Sequence, residues 1–401
     1  MQLRLKTWAL SVIMLSCIIM KAQDKELVVQ QPKLTIAVLA PIYLDSAFDG
    51  PNYKLGNNNL PKQILPGLDF YNGIMLAADS LKAENASLEI LVFDTKSKSL
   101  SIDSILKTAA MQEAGLIIAA FNNKPEIKPV ADFALSKNIP LISMTYPNDG
   151  GILNNPNYFL VNPTLKTHIE AIYKYLRRNY LLEPIRIFKR KGAGEDIIAN
   201  AFTEFNKKTP GVPLKIKTTE LSDSFSAEQV FKLLDSSKQN ILLCASLNEA
   251  FGMSLVNTVE SNPYYKAITI GMPTWDAIKE ISKEADIIYT TPYNYPRTGK
   301  LGTAITNNYR NKYFGRPSDM VFKGFEALYH FGKLYMQYNQ DLINHLSDNS
   351  NKLFNEYDFQ PVMSKKEGLG TDYMENKKLY FIRKSGALIK SVSSTMNTPV
   401  N

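Results

Sequence analysis

The chain is dominated by a repeated alternation of short apolar runs, rich in β-branched residues, and longer amphipathic stretches between residues 33 and 338. Such short runs are typical of buried strands, whereas the longer stretches repeat their apolar residues at helical spacing. Strands that alternate with helices predict a parallel sheet wound from βαβ units. In the first half, strands are predicted at residues 34–39, 88–93, 115–120 and 139–143, and helices at residues 67–83, 101–112 and 125–136.

The alternation pauses at Asn162-Pro163-Thr164 and then restarts. Strands are predicted in the second half at residues 184–188, 214–219, 241–245, 267–270 and 286–290, and helices near residues 197–207, 227–234 and 248–259. Two successive cycles of similar size predict an α/β fold made of two doubly wound parallel-sheet lobes, with a cleft between them.

The beginning of the chain has the pattern of an export signal. Arg4 and Lys6 precede an apolar run at residues 8–20, which is too short and too early for a membrane span. We expect residues 1–23 to be removed as a signal peptide, which places a soluble mature protein in the periplasm. Cys17 is expected to leave with this segment and not to carry a lipid anchor, because Leu15 stands where acylated signals need a small residue.

The composition is that of a globular protein, with 45% hydrophobic and 21% charged residues. The net charge of +8 is spread thinly along the chain. Its densest basic clusters, at residues 189–191 and 365–366, are too short to follow a nucleic-acid backbone, so no nucleic-acid partner is expected. Cys244 is the one cysteine outside the predicted signal, and its apolar neighbours predict a buried thiol without a disulfide.

Several segments, taken in order, carry a resemblance to a known family. They are residues 34–41 (LTIAVLAP), 70–81 (FYNGIMLAADSL), 93–95 (FDT), 138–143 (NIPLIS), 158–163 (YFLVNP) and 324–329 (GFEALY). The series resembles the type 1 periplasmic binding proteins, the group that includes the leucine/isoleucine/valine receptors of bacterial transporters. The resemblance extends over roughly residues 33–390.

The resemblance implies that the chain crosses between its two lobes near Asn162, at residues 292–296, and again after Gln340. Lobe one would comprise residues 33–161 plus about 296–345, including a late helix at residues 318–338. Lobe two would comprise residues 162–295 plus about 346–392, closed by strands at residues 379–383 and 387–390.

In open α/β sheets, ligands bind beyond the carboxyl ends of the strands. The residues expected to contact a ligand there are Tyr43, Asn122, Asn123, Thr145 and Tyr146 in lobe one, Ser246, Asn248 and Trp275 in lobe two, and Tyr293 on the return crossing. Amino-acid receptors of this family hold the α-carboxylate with a hydroxyl or amide at the third strand end and a Thr after the fourth. Thr145 matches the second of these positions, whereas residues 121–125 offer amides and a cation at the first.

Each of these assignments has an alternative. Asn122 and Asn123 are also suited to capping the helix that Pro125 helps to start, and Thr145 and Tyr146 to forming a plain turn before Pro147. Trp275 is equally compatible with core or interlobe packing. The long loop at residues 43–66 leaves the first strand end, so it is either functional or a flexible surface segment.

No catalytic constellation is recognisable. His168, His330 and His345 each lack a second ligand at metal spacing, and the Gly192-Ala-Gly194 segment lacks the third glycine of a dinucleotide fingerprint. We therefore predict no enzyme activity, no cofactor and no metal. The predicted function is capture of a small polar ligand, amino-acid-like or related, for a membrane transporter; the alternative is an envelope scaffold or regulator that contacts a cell-wall (peptidoglycan) synthesis complex.

Overall fold

A computed structural model describes residues 34–57, 59–278, 285–365, 370–386 and 388–392. The predicted signal peptide with Cys17, and Ala387 in the last predicted strand, lie outside these residues. The described chain folds into two seven-stranded sheets flanked by helices and one small hairpin, which confirms the predicted α/β class.

The strands are numbered in chain order, and the hairpin is formed by the second and third. They are β1 Leu34–Ala40, β2 Phe48–Asp49, β3 Asn52–Tyr53, β4 Leu88–Asp94, β5 Leu116–Ala119, β6 Leu141–Ser143, β7 Tyr158–Leu160, β8 Pro184–Arg190, β9 Lys215–Leu221, β10 Asn240–Cys244, β11 Ala267–Ile270, β12 Asp286–Thr291, β13 Phe359–Met363, β14 Thr371–Asn376, β15 Tyr380–Ser385 and β16 Leu388–Val392.

The helices cover the faces of the sheets. They are α1 Leu44–Ala47, α2 Leu65–Ala83, α3 Ile102–Leu106, α4 Ala109–Gln112, α5 Ile127–Lys137, α6 Leu165–Tyr180, α7 Ala193–Lys208, α8 Ala227–Phe231, α9 Glu249–Glu260, α10 Lys300–Tyr313 and α11 Asp319–Tyr338, with 3-10 turns at Lys124–Glu126, Pro273–Ala277 and Asn339–His345.

The two sheets repeat one winding pattern. The first has the order β13-β14-β7-β6-β5-β1-β4 and the second the order β16-β15-β12-β11-β10-β8-β9. From β7 to β4 and from β12 to β9 all strands run parallel, and β1 and β8 hold equivalent interior places. β1 is buried almost throughout, as expected for a strand covered on both faces.

The chain passes between the sheets at residues 161–164, 292–296 and 377–379. The first passage contains Asn162, and the second comprises residues 292–296. The third comes later than expected, because residues 359–376 form β13 and β14 in the first sheet and not in lobe two. The physical reason is a parallel pairing of β14 with β7, together with an edge-to-face contact between Phe359 and Phe159 at 5.2 Å.

The late helix α11 packs against α2 with its backbone in contact. A Cβ added at Gly73 would lie 2.1 Å from the Val321 carbonyl oxygen, and one at Gly324 would lie 2.1 Å from the Phe70 carbonyl oxygen. Asp69 near the start of α2 accepts a hydrogen bond from Ser318 at the start of α11 (2.6 Å), so both helices begin at the same edge of the first sheet. The start of α11 therefore lies at the carboxyl ends of the strands.

Candidate functional site

At the carboxyl edge of the first sheet, Asp94 organises the loop that follows β1. Its carboxylate accepts hydrogen bonds from the main-chain N–H groups of residues 42, 43 and 44 at 2.9, 3.1 and 2.8 Å. These bonds hold Tyr43 in the left-handed region, at φ 58° and ψ 41°, which is uncommon for a residue with a side chain. Asn122, after β5, donates to the Tyr43 hydroxyl at 3.2 Å, so the structure brings these two predicted residues together.

The loop at residues 43–66 contains α1 and the β2–β3 hairpin. The rings of Phe48 and Tyr53 meet edge to face at 5.4 Å, and both side chains are exposed. Asp45 anchors the loop by accepting a hydrogen bond from the N–H of Lys98, beyond β4. This segment is therefore a structured projection from the first strand end, and its function stays a prediction.

Thr145 lies after β6 and is half-buried. Its hydroxyl donates to the Phe121 carbonyl at 2.7 Å, and its own carbonyl accepts from the Asn162 amide at 3.0 Å. Thr145 thus ties the ends of β5 and β6 to the first passage between the lobes. In this arrangement its hydroxyl can only accept a hydrogen bond from a ligand, since its proton is already donated to the main chain.

Asn123 stands at the start of the turn Lys124–Glu126, but its side chain makes no capping hydrogen bond. Within the part of the chain that the structure describes, its buried Oδ1 has no hydrogen-bond partner, so the capping alternative does not describe its role. Tyr146 packs, partly buried, against the core on one face of the first sheet.

In lobe two, Ser246 and Asn248 serve the local structure after β10. The buried Ser246 hydroxyl donates to Glu195 at 2.8 Å and accepts from the Asn248 N–H at 3.1 Å. The Asn248 side chain caps α9 by accepting from the Phe251 N–H at 2.8 Å. Both residues lie at the predicted strand end, yet their polar atoms bond to the protein.

Replacement of Asn248 by alanine is expected to lower the free energy of unfolding by about 1 kcal/mol, because the first turn of α9 loses its cap. Urea unfolding followed by circular dichroism measures this change. Asn122→Ala is the matched control, since among the described residues the exposed Asn122 side chain bonds only to the Tyr43 hydroxyl. Equal stability of the Asn248 variant and wild type would contradict the capping role.

Trp275 is not placed to contact a ligand, which corrects the predicted assignment. Its indole is fully buried in the core of lobe two. The turn Pro273–Ala277 after β11 directs the ring inward, where it fills space that Gly252 and Gly271 leave open: a Cβ at either glycine would lie 2.6 and 2.0 Å from indole atoms. Core packing, the alternative weighed from the sequence, is what the structure shows.

Tyr293 joins the second passage to the first lobe. It is buried, and its hydroxyl donates to the Met144 carbonyl, next to Thr145. Its ring stacks on that of Tyr295, with 6.1 Å between the centroids. The residue therefore lies where strand ends of both lobes approach one another.

Two charged residues outside the predicted set, Lys323 and Asp276, lie near this junction. Lys323, in the second turn of α11, places its Nζ 3.9 Å from the centroid of the Tyr293 ring. Asp276, after β11, accepts a long hydrogen bond from Thr291 at 3.4 Å. A usable signal existed for Lys323, because it interrupts the apolar run of α11 between Phe322 and Gly324.

Asp276 and Lys323 lie close enough for each charge to act on the other. Asp276 is exposed and Lys323 only partly buried, so solvent reaches the region. Even so, desolvation by the surrounding protein raises the pKa of Asp276 and lowers the pKa of Lys323. The junction therefore holds an ammonium group from lobe one and a carboxyl group from lobe two that act on each other's charge.

Within the described residues, no group of three or more His, Cys, Asp or Glu side chains is arranged to hold a metal ion. None of the helices in the described part of the chain is both long and apolar enough to cross a membrane.

Comparison with known proteins gives matches only at the level of structure. No family model and no curated protein matches the sequence. A putative branched-chain amino acid ABC transporter protein from Rhodospirillum rubrum superimposes with a TM-score of 0.64 at 11% identity, over 90% of this chain and 99% of that one. An ABC-type branched-chain amino acid transporter protein from Rhodopseudomonas palustris has a TM-score of 0.57 at 12% identity, over 90% and 96% of the two chains.

A third similar structure is an ABC transporter substrate-binding protein from Desulfitobacterium hafniense in complex with leucine. Its TM-score is 0.55 at 13% identity, over 90% of this chain and 99% of that one. The superpositions establish the fold, but at identities this low they do not show which ligand the chain binds. With two sheets of equivalent winding, three passages between them and these structural matches, the chain has the fold of the type 1 periplasmic binding proteins.

Proposed function

We propose that this protein is an exported, non-catalytic binding protein that captures a small polar ligand between its lobes for a membrane transporter. The similar structures are named as components of ABC transporters, and one of them holds leucine. The proposal includes removal of the predicted signal at residues 1–23 and a periplasmic location.

The observation that carries the proposal is the convergence of polar groups from both lobes at the second passage. Lys323 comes from lobe one, Asp276 from lobe two, and Tyr293 from the passage itself. Ligand sites in open α/β sheets lie at this edge of the strands. A site built from both lobes binds best when the lobes close on it.

The sheet orders indicate how the lobes would close. The passages leave from β7, β12 and β14, which lie toward one side of their sheets, whereas β4 and β9 lie at the opposite end. Small changes of backbone angle at residues 161–164, 292–296 and 377–379 would therefore move the β4 and β9 sides together, a hinge closure around the ligand.

The test is a thermal-shift screen of the mature protein against amino acids, short peptides, nucleosides and organic acids. A ligand present at about 100 times its Kd adds about 2.7 kcal/mol to the free energy of unfolding, so at least one compound should raise the melting temperature clearly. Native mass spectrometry of gently purified protein gives an independent reading, because a tightly held ligand stays bound. A flat screen together with an empty native spectrum would contradict the proposal and favour the envelope scaffold.

A further inference from the structure

We propose that Lys323 binds the anionic group of the ligand, so that a lysine ammonium takes the place that hydroxyls and amides hold in amino-acid receptors. The ligand class that this predicts is a small carboxylate. This inference deepens the proposed function and rests on it.

The Lys323 ammonium makes no ion pair with any described residue, although Asp276 and Asp319 lie close enough for their charges to act on it. Its Nζ lies over the face of the Tyr293 ring, 3.9 Å from the centroid, and it makes no hydrogen bond with any described residue. Lys333, farther along the same helix, is paired with Glu84. Partial burial of an unpaired ammonium costs free energy, and an anion bound beside Lys323 would offset that cost.

Neither neighbouring carboxyl group forms an ion pair with Lys323 in the described part of the chain. Asp319 is already engaged by Arg297, with 2.5 Å between Nη2 and Oδ1. Asp276 forms no ion pair with Lys323 within the described residues, although the two charges act on each other at longer range. The positive end of the α11 dipole adds to the potential that an anion meets here.

Three of the hydroxyl groups predicted to contact a ligand have their protons committed within the protein. Those of Thr145, Ser246 and Tyr293 all donate to protein acceptors, namely the Phe121 carbonyl, Glu195 and the Met144 carbonyl. A hydroxyl has one proton, so these three groups can only accept from a ligand. Lys124, the cation that the sequence offered near this edge, is exposed. Near the second passage, Lys323 offers a charged donor that these contacts leave unbonded.

A small carboxylate comes from two sources, α-amino acids and organic acids without an amino group. Asp276 distinguishes them. An α-amino acid bound through its carboxylate to Lys323 carries an ammonium group that can donate a hydrogen bond to Asp276. Asp276→Asn should therefore weaken the binding of the amino acid. A plain organic acid has no such group, and Asp276→Asn should leave its affinity unchanged or improve it.

The experiment uses the mature full chain with amino acids, the matching acids without the amino group, and the matching amides without the carboxylate. Calorimetric titration of each compound that raises the melting temperature then compares wild type, Lys323→Met, Lys323→Arg and the control Lys333→Met. Loss of a charge-assisted hydrogen bond should reduce carboxylate affinity about 10- to 150-fold in Lys323→Met. Lys323→Arg should retain more of the affinity, and Lys333→Met should bind as wild type does.

A structural role for Lys323 predicts a different pattern. If the lysine only supported the fold, Lys323→Met would melt at a lower temperature without ligand; the proposal expects its melting temperature to equal or exceed that of wild type. If Lys323→Met fails to fold, the wild-type protein provides the test. A bound carboxylate should then protect Lys323 from chemical acetylation, which peptide mass spectrometry measures; equal acetylation with and without the carboxylate would overturn the role of Lys323.

The failures of the two proposals are distinguishable. Binding of an amide as tight as that of its acid, or unchanged carboxylate affinity in Lys323→Met, overturns the role of Lys323 and leaves the solute-binding function standing. No binding by any compound, with nothing retained in the native spectrum, overturns the solute-binding function and this inference with it.

Discussion

Replacement of Trp275 by alanine is expected to lower the free energy of unfolding by about 3 to 5 kcal/mol, the usual cost of removing a large buried ring. The indole is 0% exposed and lies against two glycines, Gly252 and Gly271, whose lack of side chains makes room for it. Neither glycine can fill the space that alanine would leave. Chemical unfolding in urea, followed by far-UV circular dichroism, measures the loss.

Trp275→Phe is the matched control for this prediction. Within the described residues, the indole N–H has no hydrogen-bond partner, so phenylalanine loses volume and no hydrogen bond. Its cost should therefore be clearly smaller than that of alanine. A loss below about 1 kcal/mol for Trp275→Ala would contradict a core role. Reduced ligand affinity at full stability would restore the ligand contact predicted from the sequence.

Acidification from pH 7 to pH 5 is expected to destabilise the protein through two buried histidines, His168 in lobe two and His330 in lobe one. Burial lowers the pKa of His168 to about 3 and the pKa of His330 to about 4. Their neutral forms suit their surroundings: His168 Nδ1 lies 2.8 Å from the Thr290 hydroxyl, and His330 packs between Phe331 and Tyr357.

The sign follows from comparing folded and unfolded chains. A histidine in the unfolded chain has a pKa of about 6.5. Below that pH the unfolded chain therefore binds protons at these histidines, whereas the folded chain does not. The stability contributed by each neutral histidine is complete above pH 6.5 and is lost as the pH falls toward the folded pKa. Between pH 7 and pH 5 each site should lose about 2 kcal/mol.

Thermal melts of wild type, His168→Asn and His330→Leu at several pH values measure this dependence. Each variant should lose less stability than wild type on acidification. His345→Gln is the control, because His345 is only half-buried and is bonded to Asp341 at 2.8 Å, and it should keep the wild-type slope. Burial raises the pKa of Glu326, which acts in the opposite direction, so the comparison rests on differences between variants. Identical slopes in wild type and both variants would refute the prediction.

The sequence by itself determined the fold class and the positions of most strands and helices. Parallel strands covered on both faces must be apolar along their whole length, so runs such as residues 34–39 are visible without knowledge of their neighbours. Strand ends are equally visible, because polar residues follow each run. The structure places Tyr43, Asn122 and Thr145 at those ends, as the pattern indicated.

Only the tertiary structure decided the partners of the polar segments. β14 reads Thr-Asp-Tyr-Met-Glu-Asn and carries no strand pattern, yet Asp372, Glu375 and Asn376 are buried in it. Their polar groups are satisfied by distant residues: Glu375 accepts from the N–H and hydroxyl of Thr164, and Asn376 donates to the Val161 carbonyl. The local sequence pattern indicates which apolar side chains are buried. It does not indicate which distant group will form a hydrogen bond with a buried polar side chain.

The same limit applies to the candidate site. Ser246 and Asn248 stand at a strand end, but folding commits their polar atoms to Glu195 and the α9 cap. Trp275 follows a strand end and turns into the core. Lys323 comes from a helix about 180 residues beyond Thr145 in the chain and reaches the same junction because α11 packs on α2. Sequence spacing determines which groups are near a strand end; only packing decides which of them are left unpaired for a ligand.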